Sequence, residues 1–425
     1  MMQNPIPLSQ RRALWALSLA YFVQATGALS VAGSLAAVSH EWGLSDGQSA
    51  RLLSIFGLTF ALAAPLAQIF FGHLMRKYQV LAGMLVFGLG ALLFAMAADY
   101  PMLIASRIVM GLGASLIGPV LVALGAELVA QHDRGSAIAM ILLGVSMASM
   151  VGIPLAAWIA TTWGARELFA LVALFSLLTA LAVWLSVPNI VKGADIRFRQ
   201  LVAVLAEGKS LAAFLVVFFI TSGVYDMYAF ISPLIRDNWH GTAASVSVAL
   251  AVIGVAGIFG NLFVGRAARR YSAERLLVVG ITLLIVDMLA MMILPANLML
   301  LYLLLVLWAF STDLLWPSQQ RRVVEIATAE TRGISLALTS AFMFCGIGFG
   351  SAVASWIYPL LGFYGVMLSA VLFLLLALIS LLISERLRVR CPARQPAILG
   401  SRDAQNWLHH CRPFPDAGAV HADRV

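Results

Sequence analysis

Charged side chains inside apolar stretches are the residues of this sequence best placed to do chemistry. Arg107, Asp226, Asp287 and Asp313 each lie well within a long apolar run, where a charge costs roughly 2.5–3.5 kcal/mol on insertion scales. Such a cost needs a reason, and the usual reasons are a proton, a substrate or a buried partner. All seven histidines fall in loops or in the C-terminal tail, so no histidine proton relay is expected within the apolar runs.

The composition determines what kind of molecule carries these charges. Hydrophobic residues make up 62% of the 425 residues and charged residues only 11%, whereas a soluble chain is about one quarter charged. A chain with so few polar groups cannot cover a surface that faces water. The composition therefore excludes a soluble enzyme and a disordered chain, and it predicts a polytopic protein of the lipid bilayer.

Twelve stretches are long enough to cross a membrane, because a helix needs about 20 apolar residues to span hydrocarbon about 30 Å thick. In lipid only helices and closed barrels satisfy the backbone, and these continuous runs lack the alternation of barrel strands. The sequence predicts an all-α integral membrane fold with twelve transmembrane helices. The predicted spans are 13–38, 50–71, 79–98, 102–126, 136–160, 167–187, 211–234, 245–265, 275–294, 297–317, 333–355 and 363–384.

The basic residues predict the orientation, because Lys and Arg are enriched in cytoplasmic loops. If the N-terminus is cytoplasmic, all but four of the 27 Lys and Arg residues lie on the cytoplasmic side, the exceptions being Arg51, Arg107, Arg166 and Arg236. The net charge of +8 is then topogenic and does not indicate nucleic-acid binding. We expect a multi-pass protein of the cell membrane, such as a bacterial inner membrane, with both termini cytoplasmic and the first span retained.

The sequence repeats itself in two halves. Residues 1–187 form a first six-helix half, 188–210 a cytoplasmic linker, 211–385 a second six-helix half, and 386–425 a tail expected to be disordered. Eight residues recur at one offset of 198: Pro119, Glu127, Arg134, Gly135, Gly152, Trp158, Ile159 and Gly164 match Pro317, Glu325, Arg332, Gly333, Gly350, Trp356, Ile357 and Gly362. Two repeated halves of this kind are typical of transporters that rock about a site at the midplane.

Several short motifs accompany the repeat. They are Gly72 with Arg76-Lys77 in the loop after the second span, Arg107 to Gly113 and Gly118-Pro119 in the fourth span, Glu127, Arg134 and Gly135 beyond it, and Gly152-Ile153-Pro154 in the fifth span. With these motifs, residues 13–385 resemble the major facilitator superfamily, and within it the twelve-helix drug and metabolite proton antiporters. The sequence departs from the family pattern where Arg76, Gln79 and Val80 replace an Asp, a Gly and an Arg.

The resemblance implies that the first, fourth, seventh and tenth spans line a central cavity. The residues expected along a substrate and proton pathway are Tyr21, Gln24, Arg107, Tyr225, Asp226, Tyr228, Trp308 and Asp313. We expect Arg107 to pair with Asp226 or with an anionic substrate group, the alternative being a fixed partner of backbone carbonyls or another carboxylate. Packing is the alternative role of the aromatic residues, and helix capping that of Asp313. Packing is the favoured role of Asp287.

A second set of residues is expected to act in gating at the cytoplasmic side. It comprises Gly72, Arg76, Lys77, Glu127, Arg134, Gly152, Pro154, Glu325 and Arg332. Glu127 with Arg134, and Glu325 with Arg332, are interpreted as gate salt bridges, the alternative being solvated loop charges.

These features predict a secondary active transporter, and the favoured hypothesis is a proton-coupled exporter of a small organic solute. The alternatives are a solute importer or facilitator and, more remotely, a polytopic membrane enzyme, for which no cluster of catalytic residue types is present. No phosphate-binding Gly-x4-Gly-Lys motif and no metal-binding cysteine pair occur, so no cofactor or metal is expected. The expected partners are the substrate, protons and lipid but no nucleic acid, and the chain is expected to act as a monomer.

Overall fold

The computed structural model describes residues 7–130, 133–191, 198–267, 270–327 and 332–390. Within these ranges all regular structure is helical, which confirms the all-α prediction. We call residues 7–191 the first half and residues 198–390 the second half.

The helices follow the predicted spans closely. The first half contains α1 Leu8–Gly33, α2 Leu35–Trp42, α3 Asp46–Phe71, α4 Arg76–Ala95, α5 Tyr100–Glu127, α6 Arg134–Met147, a π-helical turn Ala148–Gly152, α7 Ile153–Thr162 and α8 Ala165–Ser186. The second half contains α9 Phe198–Ala206, α10 Gly208–Ala229, α11 Ile231–Trp239, α12 Ala243–Ala267, α13 Ala273–Ile293, α14 Leu298–Ile326 and α15 Arg332–Arg390.

Eleven helical segments of the described residues are long and apolar enough to cross a membrane. The last of them, Ile334–Arg386, has 53 residues, more than twice the roughly 20 that one crossing needs. Gly362 interrupts it with φ 59° and ψ −146°, a left-handed conformation that glycine adopts without steric cost. The segment thus supplies two crossings, which agrees with the twelve predicted spans.

Polar caps fix where several crossings begin. The Ser45 side chain accepts from Gln48 N, and Gln48 Oε1 accepts from Ser45 N, which forms a capping box at the start of α3. Asp99, Ser272 and Asn297 accept backbone N–H groups at the starts of α5, α13 and α14. Polar residues between the apolar runs therefore determine where these four helices begin.

The linker and the end of α15 differ from the predictions. The linker contains a helix, α9, whose apolar residues Leu201 and Leu205 pack with Phe342 and with a buried cluster around Val323. Helical spacing explains its packing, because Leu201, Val204 and Leu205 share one face, while Phe198 and Val202 are exposed. α15 continues to Arg390, beyond the expected start of the tail, and residues 391–425 lie outside the described residues.

The bundle has two ends. The linker face is the end where α8 finishes at Ser186 and α10 begins at Gly208. The opposite face is the end where α2 finishes at Trp42 and α3 begins at Asp46.

A tight seam joins the halves between α3 and α15. A Cβ added at Gly57 would lie 2.8 Å from Phe344 O and 2.9 Å from Gly348 N, so the two backbones meet only because both positions are glycine. Ser54 and Ser351 share a hydrogen bond of 2.8 Å along the same seam. α12 and the π-helical turn form a second seam, where Gly254 faces the Met150 backbone.

Candidate functional site

Arg107 is fully buried and ties three helices of the first half together. From α5, Nε donates to Leu52 O of α3 at 3.1 Å, while Nη1 and Nη2 donate to Gly27 O and Ala28 O of α1 at 3.2 and 2.8 Å. The guanidinium also stands over the Phe56 ring, with Cζ 4.7 Å from the centroid. Its hydrogen-bonding capacity is therefore directed at backbone carbonyls.

The predicted pairing of Arg107 with Asp226 is wrong in this conformation. Arg107 is enclosed by α1, α3 and α5, whereas Asp226 lies on the side of α10 that packs against α15. Arg107 instead has the alternative role given in the sequence analysis, that of a structural partner of backbone carbonyls. A buried arginine is costly unless its N–H donors have acceptors, and here backbone carbonyls accept three of its five N–H groups.

Asp226 is fully buried between α10 and the last part of α15. Ser369 Oγ donates to its Oδ2, and its Oδ1 has no hydrogen-bond partner among the described residues. A carboxylate normally accepts several hydrogen bonds when it is ionised. Asp226 therefore sits where a charged carboxylate is only partly satisfied.

Asp313 lies near the middle of α14, because this helix continues to Ile326 and does not end at the predicted residue 317. Its side chain is directed at α12, where a Cβ added at Gly257 would collide with Oδ2 and one added at Gly260 would lie 3.0 Å from the Asp313 Cβ. The helix-cap alternative is therefore wrong. Asp313 is a half-buried acid in the body of the second half.

Three aromatic side chains form a cluster in the second half. Tyr225 and Tyr228 of α10 meet edge to face with ring centroids 5.5 Å apart. Tyr228 stacks on Trp308 of α14 at 5.8 Å, with the ring planes within 7°. Trp308 Nε1 is buried and has no hydrogen-bond partner among the described residues.

The two pathway residues predicted in the first span, Tyr21 and Gln24, have different surroundings. Tyr21 packs at the edge of the first-half core. Gln24 is buried, and its Oε1 lies near Phe60 and Gly118 with no hydrogen-bond partner among the described residues. α1 contacts α10, α11 and α12, so it is a helix of the first half that lies against the second half.

Asp287 lies on α13, apart from the helices that carry this cluster. It is fully buried, and neither carboxylate oxygen has a hydrogen-bond partner among the described residues.

The basic pair at the start of α4 binds within the first half. Arg76 Nη2 pairs with Glu127 Oε1 at 3.2 Å, and Arg76 N donates to Val191 O at 3.0 Å. Lys77 Nζ donates to Trp184 O at 2.8 Å and stands 5.1 Å from the Trp184 ring centroid. The predicted pair of Glu127 with Arg134 is wrong, because the carboxylate faces the start of α4 while Arg134 begins α6.

The other predicted gating residues have local roles. Glu325 pairs with Arg321 one turn away at 2.8 Å, and the Arg332 side chain lies outside the described residues. Gly72 ends α3 in a right-handed conformation that any residue adopts. Gly152 and Pro154 lie at the π-helical turn of the fifth crossing, where the missing N–H of Pro154 removes a helical hydrogen bond.

Arg322 is a buried charge that the sequence analysis missed. Its Nη2 pairs with Glu385 Oε1 at 3.0 Å and its Nε lies 3.8 Å from Glu274 Oε1, so it joins α14, α15 and α13 at the linker face. The predicted span ends at residue 317, but buried positions continue along one helix face at Leu315, Gln319, Arg322, Val323 and Ile326.

A polar cluster at the opposite face was also missed. Arg236 of α11 pairs with Asp46 Oδ2 at 2.8 Å and with Asp237 Oδ1 at 2.6 Å, while the Tyr358 hydroxyl donates to Asp237. The hydrogen bonds from Arg236 lower the pKa of Asp237 below its usual value. The sequence identifies Arg236 only as one of the four basic residues that are not on the predicted cytoplasmic side.

Comparison with known proteins supports this architecture. The sequence profile of the Major Facilitator Superfamily matches residues 17–297 and 214–412. The inner membrane transport protein YdhP of Escherichia coli (strain K12) is 29% identical over 339 residues, which cover 80% of this chain and 87% of that protein. The uncharacterised MFS-type transporter YbcL of Bacillus subtilis (strain 168) is 23% identical over 346 residues, or 81% of this chain and 88% of YbcL.

Solved structures share the fold. The inward-facing, unoccupied bacterial homologue of the human lysosomal transporter Spinster has a TM-score of 0.70 at 15% identity, over 90% of this chain and 98% of that one. The human organic anion transporter MFSD10 has a TM-score of 0.66 at 18% identity, over 89% and 100%. With a profile match across most of its length, the chain belongs to the major facilitator superfamily.

Proposed function

We propose that this membrane transporter exports a small organic solute in exchange for protons, by alternating movements of its two halves. The observation that carries the proposal is Asp226, a fully buried carboxyl group with one oxygen bonded to Ser369 and the other without a partner among the described residues. Desolvation without full hydrogen bonding makes the charged form costly, so a group of this kind is suited to take up and release a proton.

The contacts between the halves support an alternating movement. The contacts Asp46–Arg236, Ser54–Ser351 and Gly57–Gly348 join the halves from the opposite face to the middle of the bundle. At the linker face, Arg76–Glu127 lies within the first half and Arg322–Glu385 within the second. This arrangement suits halves that separate at the linker face while they stay closed at the opposite face.

We propose that the linker face and both termini are cytoplasmic, and the distribution of basic residues supports this orientation. Each chain carries both halves, so we propose a monomer as the working unit. In this orientation the described seam closes the external side, and a solute enters from the cytoplasm.

The proposal is tested in everted membrane vesicles that contain the overproduced protein, with a panel of labelled solutes. An imposed pH gradient, acid inside the vesicles, is expected to drive solute uptake into the lumen. A protonophore is expected to abolish this accumulation, while vesicles without the protein give the background. Accumulation that survives the protonophore would contradict proton coupling, and solute that instead accumulates with protons in right-side-out vesicles would make the protein an importer.

A further inference from the structure

Asp287 is a buried acid that the proposed transport function does not use. It is fully buried on α13, and neither carboxylate oxygen has a hydrogen-bond partner among the described residues. A carboxyl group in such a place has lost water without gaining donors from the protein, which costs free energy. An apolar side chain would fill the same space without this cost, so packing alone gives no reason for an acid here.

A close contact fixes the register of α13 on α14. The two helices pack together and run in opposite directions, because only residues 294–297 connect them. A Cβ added at Gly280 of α13 would lie 2.6 Å from the Leu315 side chain and 3.3 Å from Ser311 O of α14. Gly280 and Leu315 therefore mark one level of the contact.

This register shows which residue Asp287 faces. Seven residues are about two helical turns and return to the same face of a helix. Asp287 lies seven residues after Gly280 along α13. Trp308 lies seven residues before Leu315 along α14, which is the same direction because the helices are antiparallel. Asp287 and Trp308 therefore occupy facing positions.

The first half contains an equivalent pair of helices, in which α4 packs on α5. A Cβ added at Gly83 would lie 2.6 Å from the Ile117 side chain, as one at Gly280 would from Leu315. The two pairs of helices therefore share one register, and each position of one pair has a counterpart in the other.

The counterparts of Asp287 and Trp308 are Gly90 and Met110. A Cβ added at Gly90 would lie only 2.7 Å from both Cγ and N of Met110, so α5 leaves no room for a side chain there. In the second half an aspartate stands in place of this glycine. Its carboxyl group thus enters the helix contact beside Trp308.

Trp308 has an unused hydrogen-bond donor. The side chain is 3% exposed, and its Nε1–H has no acceptor among the described residues. Buried indole N–H groups normally find a partner. Two facing residues thus hold a carboxyl group without a donor and an indole without an acceptor, and no hydrogen bond joins them in this conformation.

The other titratable groups at this level of α14 point away from Asp287. Asp313 is directed at α12, and the Tyr302 hydroxyl donates to Ser245 O of the same helix. On this helix, the group that faces Asp287 and has a free donor is therefore the Trp308 indole.

The remaining helices supply no charge at this depth. α15, which also packs on α13, carries no charged residue between Arg332 and Glu385, and its titratable side chains there are Cys345, Tyr358 and Tyr364. On α13 itself, Glu274 and Arg275 lie in the first turn, about three turns from Asp287. A charge on Asp287 would therefore be stabilised by a hydrogen bond from Trp308 and not by an ion pair.

We propose that Asp287 is a proton-binding residue of the second half and that the Trp308 indole is the hydrogen-bond donor of its ionised form. When the acid releases its proton to water, the carboxylate accepts a hydrogen bond from Trp308 Nε1–H. When it takes a proton up, this bond is lost. Trp308 stacks on Tyr228 at 5.8 Å, so each change of protonation alters what holds an aromatic side chain of the predicted pathway. The site is separate from Asp226 and goes beyond the proposed export.

Infrared difference spectroscopy of the detergent-purified full-length protein tests the proton binding, because a protonated carboxyl group has its own C=O stretching band. As the pH is varied between about 4 and 10, the wild type should gain such a band in acid and lose it in alkali. Asp287→Asn should remove this band, whereas Asp226→Asn should leave it in place. If wild type and Asp287→Asn differ at no pH, or if the Asp287 band is present at every pH, Asp287 binds no exchangeable proton and the inference is overturned.

A second variant guards against misfolding of the first. Asp287→Gly restores the residue type that the first half has at Gly90, so the helix contact can accommodate it. It should remove the same band as Asp287→Asn. A band that persists in this variant belongs to another acid.

Trp308→Phe tests the donor, because it removes the indole N–H and keeps an aromatic ring. The ionised form of Asp287 then lacks its hydrogen bond, so the band should persist to a pH about 1–2 units higher than in the wild type. Trp316→Phe, the same change two turns further along α14, is the matched control and should leave the titration unchanged. Equal titrations of Trp308→Phe and wild type would show that the indole is not the donor.

Tryptophan fluorescence tests whether protonation reaches the indole. The wild type should show a change in emission at the pH where the Asp287 band titrates, and this change should be absent from both Asp287→Asn and Trp308→Phe. A change that survives in either variant has another origin and would contradict the coupling. These spectra require no transport, so failure of the vesicle experiment leaves their outcome untouched, and failure of the titration leaves the proposed export untouched.

Discussion

Arg236 of the second half donates a hydrogen bond to Asp46 Oδ2 of the first half, 2.8 Å away across the opposite face of the bundle. Asp46 begins α3, where a negative charge is favourable at the helix N-terminus, and Ser39 Oγ donates to its other oxygen at 3.2 Å. Arg236 also bonds Asp237, its neighbour in α11. One guanidinium thus connects the two halves at the point where an opening of this face would separate them.

Removal of this contact is expected to favour opening at the opposite face. In a background without Cys345, Cys391 and Cys411, the Ser54→Cys thiol reports on the seam, because Ser54 contacts Ser351 of the second half. Arg236→Ala should raise the rate at which a membrane-impermeant maleimide labels this thiol by roughly two- to fivefold. Exposed pairs contribute about 0–1 kcal/mol, and that range sets the size of the effect.

A matched control is available at the same face. Arg166 pairs with Glu41 at 2.9 Å, but both residues belong to the first half. Arg166→Ala should leave the labelling rate unchanged, because its pair does not cross the seam. If Arg166→Ala and Arg236→Ala increased the labelling rate equally, the Arg236–Asp46 pair would not stabilise the closed opposite face.

The polar cluster at the opposite face is expected to lose its stabilising effect only in strong acid. Arg236 lowers the pKa of Asp237 in the folded protein. The contribution is therefore fully present above the unfolded value of about 3.9 and is lost as the pH falls through the lower folded value. The difference in Tm between wild type and Asp237→Asn should be the same at pH 7 and pH 5.5 and should shrink below about pH 4. A difference that already disappears between pH 7 and 5.5 would contradict this sign.

Arg107 is expected to act on stability independently of Asp226. Arg107→Ala removes three bonds to carbonyls and leaves a cavity, so we expect a loss of about 3–5 kcal/mol. Arg107→Lys should lose less, since an ammonium group reaches some of the carbonyls but cannot reproduce the planar fork. Thermal unfolding of wild type, Arg107→Ala, Asp226→Asn and the double variant forms a cycle, in which the two effects should add within about 0.5 kcal/mol. A clear rescue by Asp226→Asn would restore the pairing that the sequence suggested.

Two adjacent arginines at the linker face should differ strongly. Arg322 is fully buried and pairs with Glu385, whereas Arg321 is partly exposed and pairs with Glu325 one turn away. Arg322→Ala removes the ion pair with Glu385 and is expected to cost about 2–3 kcal/mol, because Glu385 is partly exposed and the full penalty of a buried pair does not apply. Arg321→Ala should cost about 0.3–0.5 kcal/mol. Chemical unfolding of both variants gives the comparison, and similar losses would contradict the burial of the Arg322 pair.

The crossings were predictable because length and apolar content alone identify them. What the sequence did not show is which way each polar side chain points. Arg107 and Asp226 lie at similar depths in the bundle. However, Arg107 is enclosed by α1 and α3, whereas Asp226 faces α15. Such directions depend on the rotation of each helix about its axis, which packing decides and hydropathy does not.

The inner end of α14 illustrates a second limit. The predicted span ends at residue 317, because charged residues follow, although the helix continues to Ile326 and includes Arg322. Hydropathy identifies the part of a helix that lies in lipid, and it does not detect a polar extension into the interfacial region. The buried positions of this extension have helical spacing, which a hydropathy average does not register.

The last prediction concerns proton coupling through Asp226. Asp226→Asn keeps the shape of the protonated acid and can still bond Ser369, so folding and substrate binding should survive. Proton-driven accumulation in vesicles should stop, because an amide takes up no proton, while exchange of labelled for unlabelled solute continues. Ser369→Ala is the companion variant, since it removes the bond to Asp226 and leaves the acid in place. We expect it to retain accumulation but to shift its pH dependence. If Asp226→Asn accumulates solute as well as wild type, the carboxyl group is structural, and proton coupling must be assigned to another acid, of which Asp313 is the next to test.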